Sequence, residues 1–195
     1  MTREQIKERW PILGHFATLK KTSRDPTNNQ YMTESTIDVI DFDKIPKEFA
    51  RGKGWPGVPK SNDALYIDSS VWTFIEFKNG HIDKADVYRK IYDSIIMLLE
   101  LKIVPDVDFV RKHIRYILVC KKTQVQPAQE SENRTTIYSH IKNRANAETV
   151  LFELDKLQGY LLAEVHTYSP EEFEAKFVRK YTSLTTAGTD AQNCS

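Results

Sequence analysis

The sequence has little cysteine: Cys120 and Cys194 are the only two in 195 residues, which excludes a disulfide framework. No apolar run approaches the ~18 residues of a membrane span. The opening stretch MTREQIKERWP carries no apolar segment of the signal-peptide kind. There is no excess of charge of either sign, with 28 Lys and Arg against 27 Asp and Glu. A binder that relies on bulk positive charge is thereby excluded, and any nucleic-acid contact has to come from a local patch. The histidines His15, His81, His113, His140 and His166 never fall at HxxxH spacing, so no zinc site is indicated. Gly52-Lys53-Gly54 lacks the spacing of a phosphate-binding loop, no GxGxxG opens a helix, and no GxSxG elbow is present. What is there is 40% hydrophobic and 11% aromatic residues, enough to bury a core and inconsistent with disorder. The expectation is a soluble, cytoplasmic chain with no membrane partner, folded as one domain over 1–181 with a disordered tail at 182–195.

Local signals order the elements. Thr2 and Gln5 form a capping box for a first helix that Pro11 stops. Residues 17–35 are polar and read as loop. TIDVIDFDKI (36–45) alternates weakly, as a strand does, and a helical turn follows in PKEFA. RGKGWPGVPKSN (51–62) is too rich in Gly and Pro for a regular element. ALYID (64–68) and VWTFIEF (71–77), separated by serines, read as a β-hairpin. Asn79-Gly80 turns the chain and Asp83 caps a helix. Its Val87, Tyr88, Ile91, Ile95, Leu98 and Leu99 form one apolar face, and Pro105 ends it. IRYILVC (114–120) is a buried strand. A polar loop and a helix around Ile137, Tyr138 and Ile141 come next, then a strand in YLLAEVHTY (160–168). Ser169-Pro170 opens a last helix running to about Tyr181. The order predicts an α/β fold, a mixed central sheet flanked by helices.

Within the hairpin, Glu76-Phe77-Lys78 is an acid-x-lysine tripeptide. The chain holds three such tripeptides, about the 2.5 that chance supplies. Glu100-Leu-Lys102 and Glu174-Ala-Lys176 fall on predicted helices, where positions two apart do not share a face. Glu76 and Lys78 lie in a strand, where they do. With Ser69-Ser70 as the turn, Asp63 falls directly opposite Glu76, and Asp68 on the other face. Opposed carboxylates repel, and a divalent cation relieves that repulsion. Oxygen ligands with retained water suit Mg²⁺ or Mn²⁺. A lysine beside the ion can orient a water, help deprotonate it, or stabilise charge on a phosphoryl oxygen. Trp72 and Phe74 share the parity of Glu76, so this face is expected to be partly buried, where unpartnered carboxylates are costly.

On these residues, SNDALYIDSSVWTFIEFKNG (61–80) resembles the corresponding segment of the PD-(D/E)xK nuclease superfamily. Members carry an aspartate on one strand of a hairpin and Glu/Asp-x-Lys on the next. The resemblance assigns Asp63, Glu76 and Lys78 to catalysis, with Asp63 and Glu76 as ligands of Mg²⁺ or Mn²⁺. It implies a restriction-endonuclease-like fold, with the helix at 84–102 and the strand at 114–120 in the family's order. The implied activity is metal-dependent hydrolysis of nucleic acid, DNA before RNA. Ser61-Asn62 stands where a proline is frequent before the aspartate. Many members add a glutamate from the first helix. Glu8, Glu34 and Glu48 are the candidates here, and none is assigned.

Other residues admit two readings each. Arg89 and Lys90 are either phosphate contacts or the wet face of their helix. Trp55 either stacks on an unpaired base or plugs the core. Cys120, in an apolar strand, reads as a buried inert thiol. The competing function is a catalytically inactive nuclease-fold binding protein, an immunity or regulatory factor. A homodimer or a protein partner that supplies DNA specificity is left open.

Overall fold

A computed structural model of the chain describes residues 1–68, 71–121 and 150–182. The turn at Ser69-Ser70, the predicted helix around Ile137, His140, Cys194 and nearly all of the predicted tail lie outside the described residues. No helix among those described is long and apolar enough to cross a membrane.

The core is a six-stranded mixed sheet. Its strands are β1 (Phe16–Thr18), β4 (Asp38–Asp41), β5 (Ala64–Ile67), β6 (Trp72–Lys78), β7 (Ile114–Cys120) and β8 (Glu164–Tyr168), adjacent in that order. β1, β4, β5 and β6 pair antiparallel with one another in turn, whereas β6, β7 and β8 are mutually parallel. Parallel neighbours need a crossover, and between β6 and β7 it is made by α4 (Lys84–Glu100) and α5 (Val107–His113). Asp83 caps α4 by accepting from the Ala85 N–H at 2.9 Å. Lys102 takes a left-handed backbone, φ 54°, which ends α4 ahead of Pro105. α5 was not anticipated, although Asp106 caps it, accepting from the Phe109 N–H at 2.7 Å.

Alternation along the strands sends side chains to two cores. Leu65, Ile67, Trp72, Phe74, Tyr116 and Leu118 face α4 and α3 (Ile45–Lys53), while Ala64, Ile75, Phe77, Ile117 and Val119 face the opposite layer. That second layer is α6 (Pro170–Phe173), which opens on a Ser169/Glu172 capping box and continues through a π turn at Glu174–Val178. Phe173 meets Phe77 edge-on at 5.6 Å. The fold is thus α/β, a mixed sheet with helices on both faces.

Three stretches differ from expectation. Residues 17–35 hold β1, α2 (Leu19–Thr22) and a small ribbon of β2 (Arg24–Asp25) with β3 (Gln30–Tyr31) rather than loop alone. α3 extends to Lys53 because Gly54 supplies the left-handed cap, φ 65°, that a side chain resists. The last strand starts at Glu164, not at Tyr160, since Gly159 turns the chain and donates to the Leu162 carbonyl at 2.8 Å. By contrast, β7 spans the residues the sequence marks, as does the first helix, α1 (Arg3–Arg9), with its Thr2/Gln5 capping box.

Candidate functional site

The hairpin has the register expected of it. Ala64 lies opposite Ile75, Leu65 opposite Phe74, Tyr66 opposite Thr73 and Ile67 opposite Trp72. Carried back one residue, this sets Asp63 against Glu76. Asp63 sits just ahead of β5 and turns its carboxylate across the strand end, where Oδ2 accepts from the Phe77 N–H at 2.7 Å. Glu76 is wholly buried beneath α4, on the face shared with Trp72 and Phe74. Asp68 lies elsewhere, in a cleft with Tyr66 and Arg3.

Two ammonium groups converge on the acids. Lys78 Nζ lies 3.1 Å from Glu76 Oε1 and 3.2 Å from Asp86 Oδ2. Lys90 Nζ lies 2.6 Å from the same Glu76 oxygen and 3.3 Å from Asp63 Oδ1. Burial, then the Glu76 charge, pushes Asp63 well above the usual carboxylate range despite Lys90. Burial raises Glu76 as well, with Lys90 and Lys78 pulling the other way. Burial works against the charge on Lys90, but Asp63 and Glu76 more than offset it and raise that ammonium's pKa. The result is one coupled cluster of acids and amines at the carboxyl end of β6. Among the described residues Glu76 Oε2 is buried without a hydrogen-bond partner, and so is the hydroxyl of Tyr116, on the neighbouring strand.

The cluster opens on a cleft of about 420 Å³, lined by residues 22–28 with Met32, Asp43, Asp63, Phe77, Lys78, Asn79 and Gly80. Asp63 and Lys78 line the cleft, while Glu76, wholly buried, reaches them from behind through Lys78 and Lys90. β2 (Arg24–Asp25) and the loop after it make one wall, tied down where Asn79 Nδ2 donates to Asp25 Oδ2 at 2.9 Å. Hydrogen bonds from Asn28 and Asn79 lower the Asp25 carboxyl to about 2. Its contribution to stability is therefore present above the ordinary carboxylate range and lost as pH falls towards 2. An NMR titration should place the Asp25 midpoint near 2, and Asn79→Ala should move it upward; an unmoved midpoint would mean that this tie does not hold the wall.

The other candidates are dispersed. Glu48 pairs with His15 at 2.9 Å and Glu34 with Lys20 at 2.6 Å. Glu8 is exposed on α1, in a separate surface depression. None of the three lines the cleft. Asp43 does, held by the Ser61 hydroxyl at 2.8 Å, and no periodic pattern in the sequence marks it. Arg89 is largely exposed, 3.6 Å from Asp93 on the next turn, as a wet-face residue would be. Lys90 points inward to the acids. The signal for this was available: Lys90 lies three residues after Val87 and four before Ser94, both fully buried, and so borders the apolar stripe. Trp55 is half-exposed, meets Phe49 edge-on at 5.2 Å and does not line the cleft. Cys120 is buried at the end of β7.

Among the described residues, no group of three or more His, Cys, Asp or Glu is placed to hold a metal. An ion here would rest on Asp63 and Glu76 with water completing its shell, a set that Mg²⁺ accepts. The donors fit in kind: both are hard oxygens, and Glu76 Oε2 has no other partner. No protein-family model, curated protein or solved structure matches the chain.

Proposed function

We propose that the chain is a metal-dependent nuclease of the restriction-endonuclease-like, PD-(D/E)xK kind, hydrolysing phosphodiester bonds in nucleic acid, DNA before RNA. One observation carries this reading: the hairpin brings Asp63 and Glu76 close enough to share a single cationic group, with Lys78 beside them at the edge of an open cleft. The order β5, β6, α4, β7 supports it, being the order that the resemblance implies. In this reading Asp63 and Glu76 hold Mg²⁺ or Mn²⁺. When bound, the ion supplies Lewis acidity and activates water. Lys78 is steadied by Asp86 and donates from its ammonium to the attacking water or to a phosphoryl oxygen. Phe77 N–H holds Asp63 in place, and exposed Arg89 is available to phosphate.

A second reading is favoured by a different observation. Glu76 has no exposed surface, and Lys90 already pairs with both acids, as in an inactive nuclease-fold binding protein. Incubating the full chain with single- and double-stranded DNA and RNA separates the two. The nuclease reading expects cleavage in Mg²⁺ or Mn²⁺ and none in EDTA. Intact substrates under every condition would favour the binding protein.

A further inference from the structure

We propose that the Lys90 ammonium is a tethered substitute for the divalent cation: it bridges Asp63 and Glu76 in the metal-free protein, and a metal ion binds by displacing it. This rests on the reading that these two acids hold metal, and adds how their occupancy is regulated.

Hydrogen bonds are spread unevenly over the Glu76 carboxylate. Both lysines crowd one oxygen, Oε1, at 2.6 Å and 3.1 Å, while Oε2 takes no hydrogen bond. A purely structural ion-pair network gains more by spreading two ammoniums over two oxygens, because every buried lone pair left unmet costs energy. The two lysines also differ in what else holds them. Lys78 has Asp86 at 3.2 Å, outside the acid pair. Lys90 has ion pairs only with Asp63 and Glu76 among the described residues. When an ion takes those two carboxylates, Lys78 keeps a partner and Lys90 keeps none.

Lys90 is also built to leave. It lies on α4 beside exposed Arg89, its ammonium at the end of a flexible four-carbon stem. Lys90's side chain is largely buried but keeps 14% of its surface open to solvent, which leaves it a way out. Released from the acids, it becomes a cation next to the cleft, the position in which it can meet phosphate. Metal binding and the recruitment of a phosphate contact are then one event, and a site without metal is closed by its own lysine.

The test is Mn²⁺ binding to the full chain, followed by electron paramagnetic resonance of the free ion, with thermal melts in EDTA and in Mn²⁺. Wild type is compared with Lys90→Met, Lys90→Arg and the double variant Lys90→Met/Glu76→Gln. Lys90→Met is expected to bind Mn²⁺ at least about tenfold more tightly than wild type. Its melting temperature should fall in EDTA and recover in Mn²⁺. Lys90→Arg should bind no more tightly than wild type, and the double variant should lose the Mn²⁺-dependent recovery. Where Lys90→Met does not fold in EDTA, folding induced by Mn²⁺ is the same supporting result. Equal affinity of wild type and Lys90→Met, a melt that Mn²⁺ does not restore, or absence of binding to either would overturn the proposal. Tighter binding by Lys90→Met with no cleavage by any form would leave it standing while removing the nuclease reading.

Discussion

Asp63→Asn is expected to lower Mg²⁺-dependent cleavage by at least about 10²–10³-fold, with the melting temperature unchanged or raised. The asparagine keeps an oxygen for the Phe77 N–H, now 2.7 Å from Asp63 Oδ2, so the strand end stays closed. It removes one of two mutually repelling buried acids and leaves Lys90 paired with Glu76 at 2.6 Å. What disappears is a negative charge that the proposed ion would need. Lys78→Met separates the roles further. Glu76 keeps Lys90, and Asp86 keeps Lys60 at 3.4 Å, so the cluster survives. Turnover should fall while Mn²⁺ affinity is retained, because the proposed mechanism has Lys78 act on water or phosphate rather than on the ion. Equal turnover by wild type and either variant in a gel-based cleavage assay would remove that residue from the mechanism.

Phe74→Ala is expected to destabilise the fold by about 3–5 kcal/mol, a drop of roughly 6–20 °C in melting temperature for a chain of this size. Phe74 is fully buried on the α4 face and meets Phe42 edge-on at 5.1 Å. The cost combines lost burial with the cavity left behind. The effect should also reach the site. The Phe42 N–H donates to the Asp63 carbonyl at 3.1 Å, and Asp43 follows it into the cleft. Chemical denaturation gives the stability, and cleavage measured well below the melting temperature gives the effect on the site. A loss below about 1 kcal/mol would show that this aromatic pair does not support the hairpin.

The hairpin was readable because its information is local. Two β-branched and aromatic runs joined by a short connection pair in a register that buries Trp72, Phe74 and Leu65 together, and that register places Asp63 against Glu76. The capping boxes at Thr2 and Ser169 were readable for the same reason, since each is a contact between residues three apart. β1 and the β2–β3 ribbon were not. They are strands of two or three residues, too short to show a period, and β1 exists because β4 pairs with it from far along the chain. Asp43 reaches the cleft through the same kind of distant pairing. Lys90 was recognised as a cation near the motif but not as an inward one, because a charged residue on a helix is ordinarily read as solvated. Only the helix phase relative to Val87 and Ser94 hints otherwise.

In the proposed function Asp63 and Glu76 share a divalent ion. Crystals of the full chain grown with Mn²⁺ and measured at a wavelength where manganese scatters anomalously test it most directly. An anomalous peak within coordination distance of both carboxylates, with the Lys90 ammonium moved away from them, is the predicted result. Well-ordered density with no peak there, and Lys90 still bridging the two acids at saturating Mn²⁺, would contradict it.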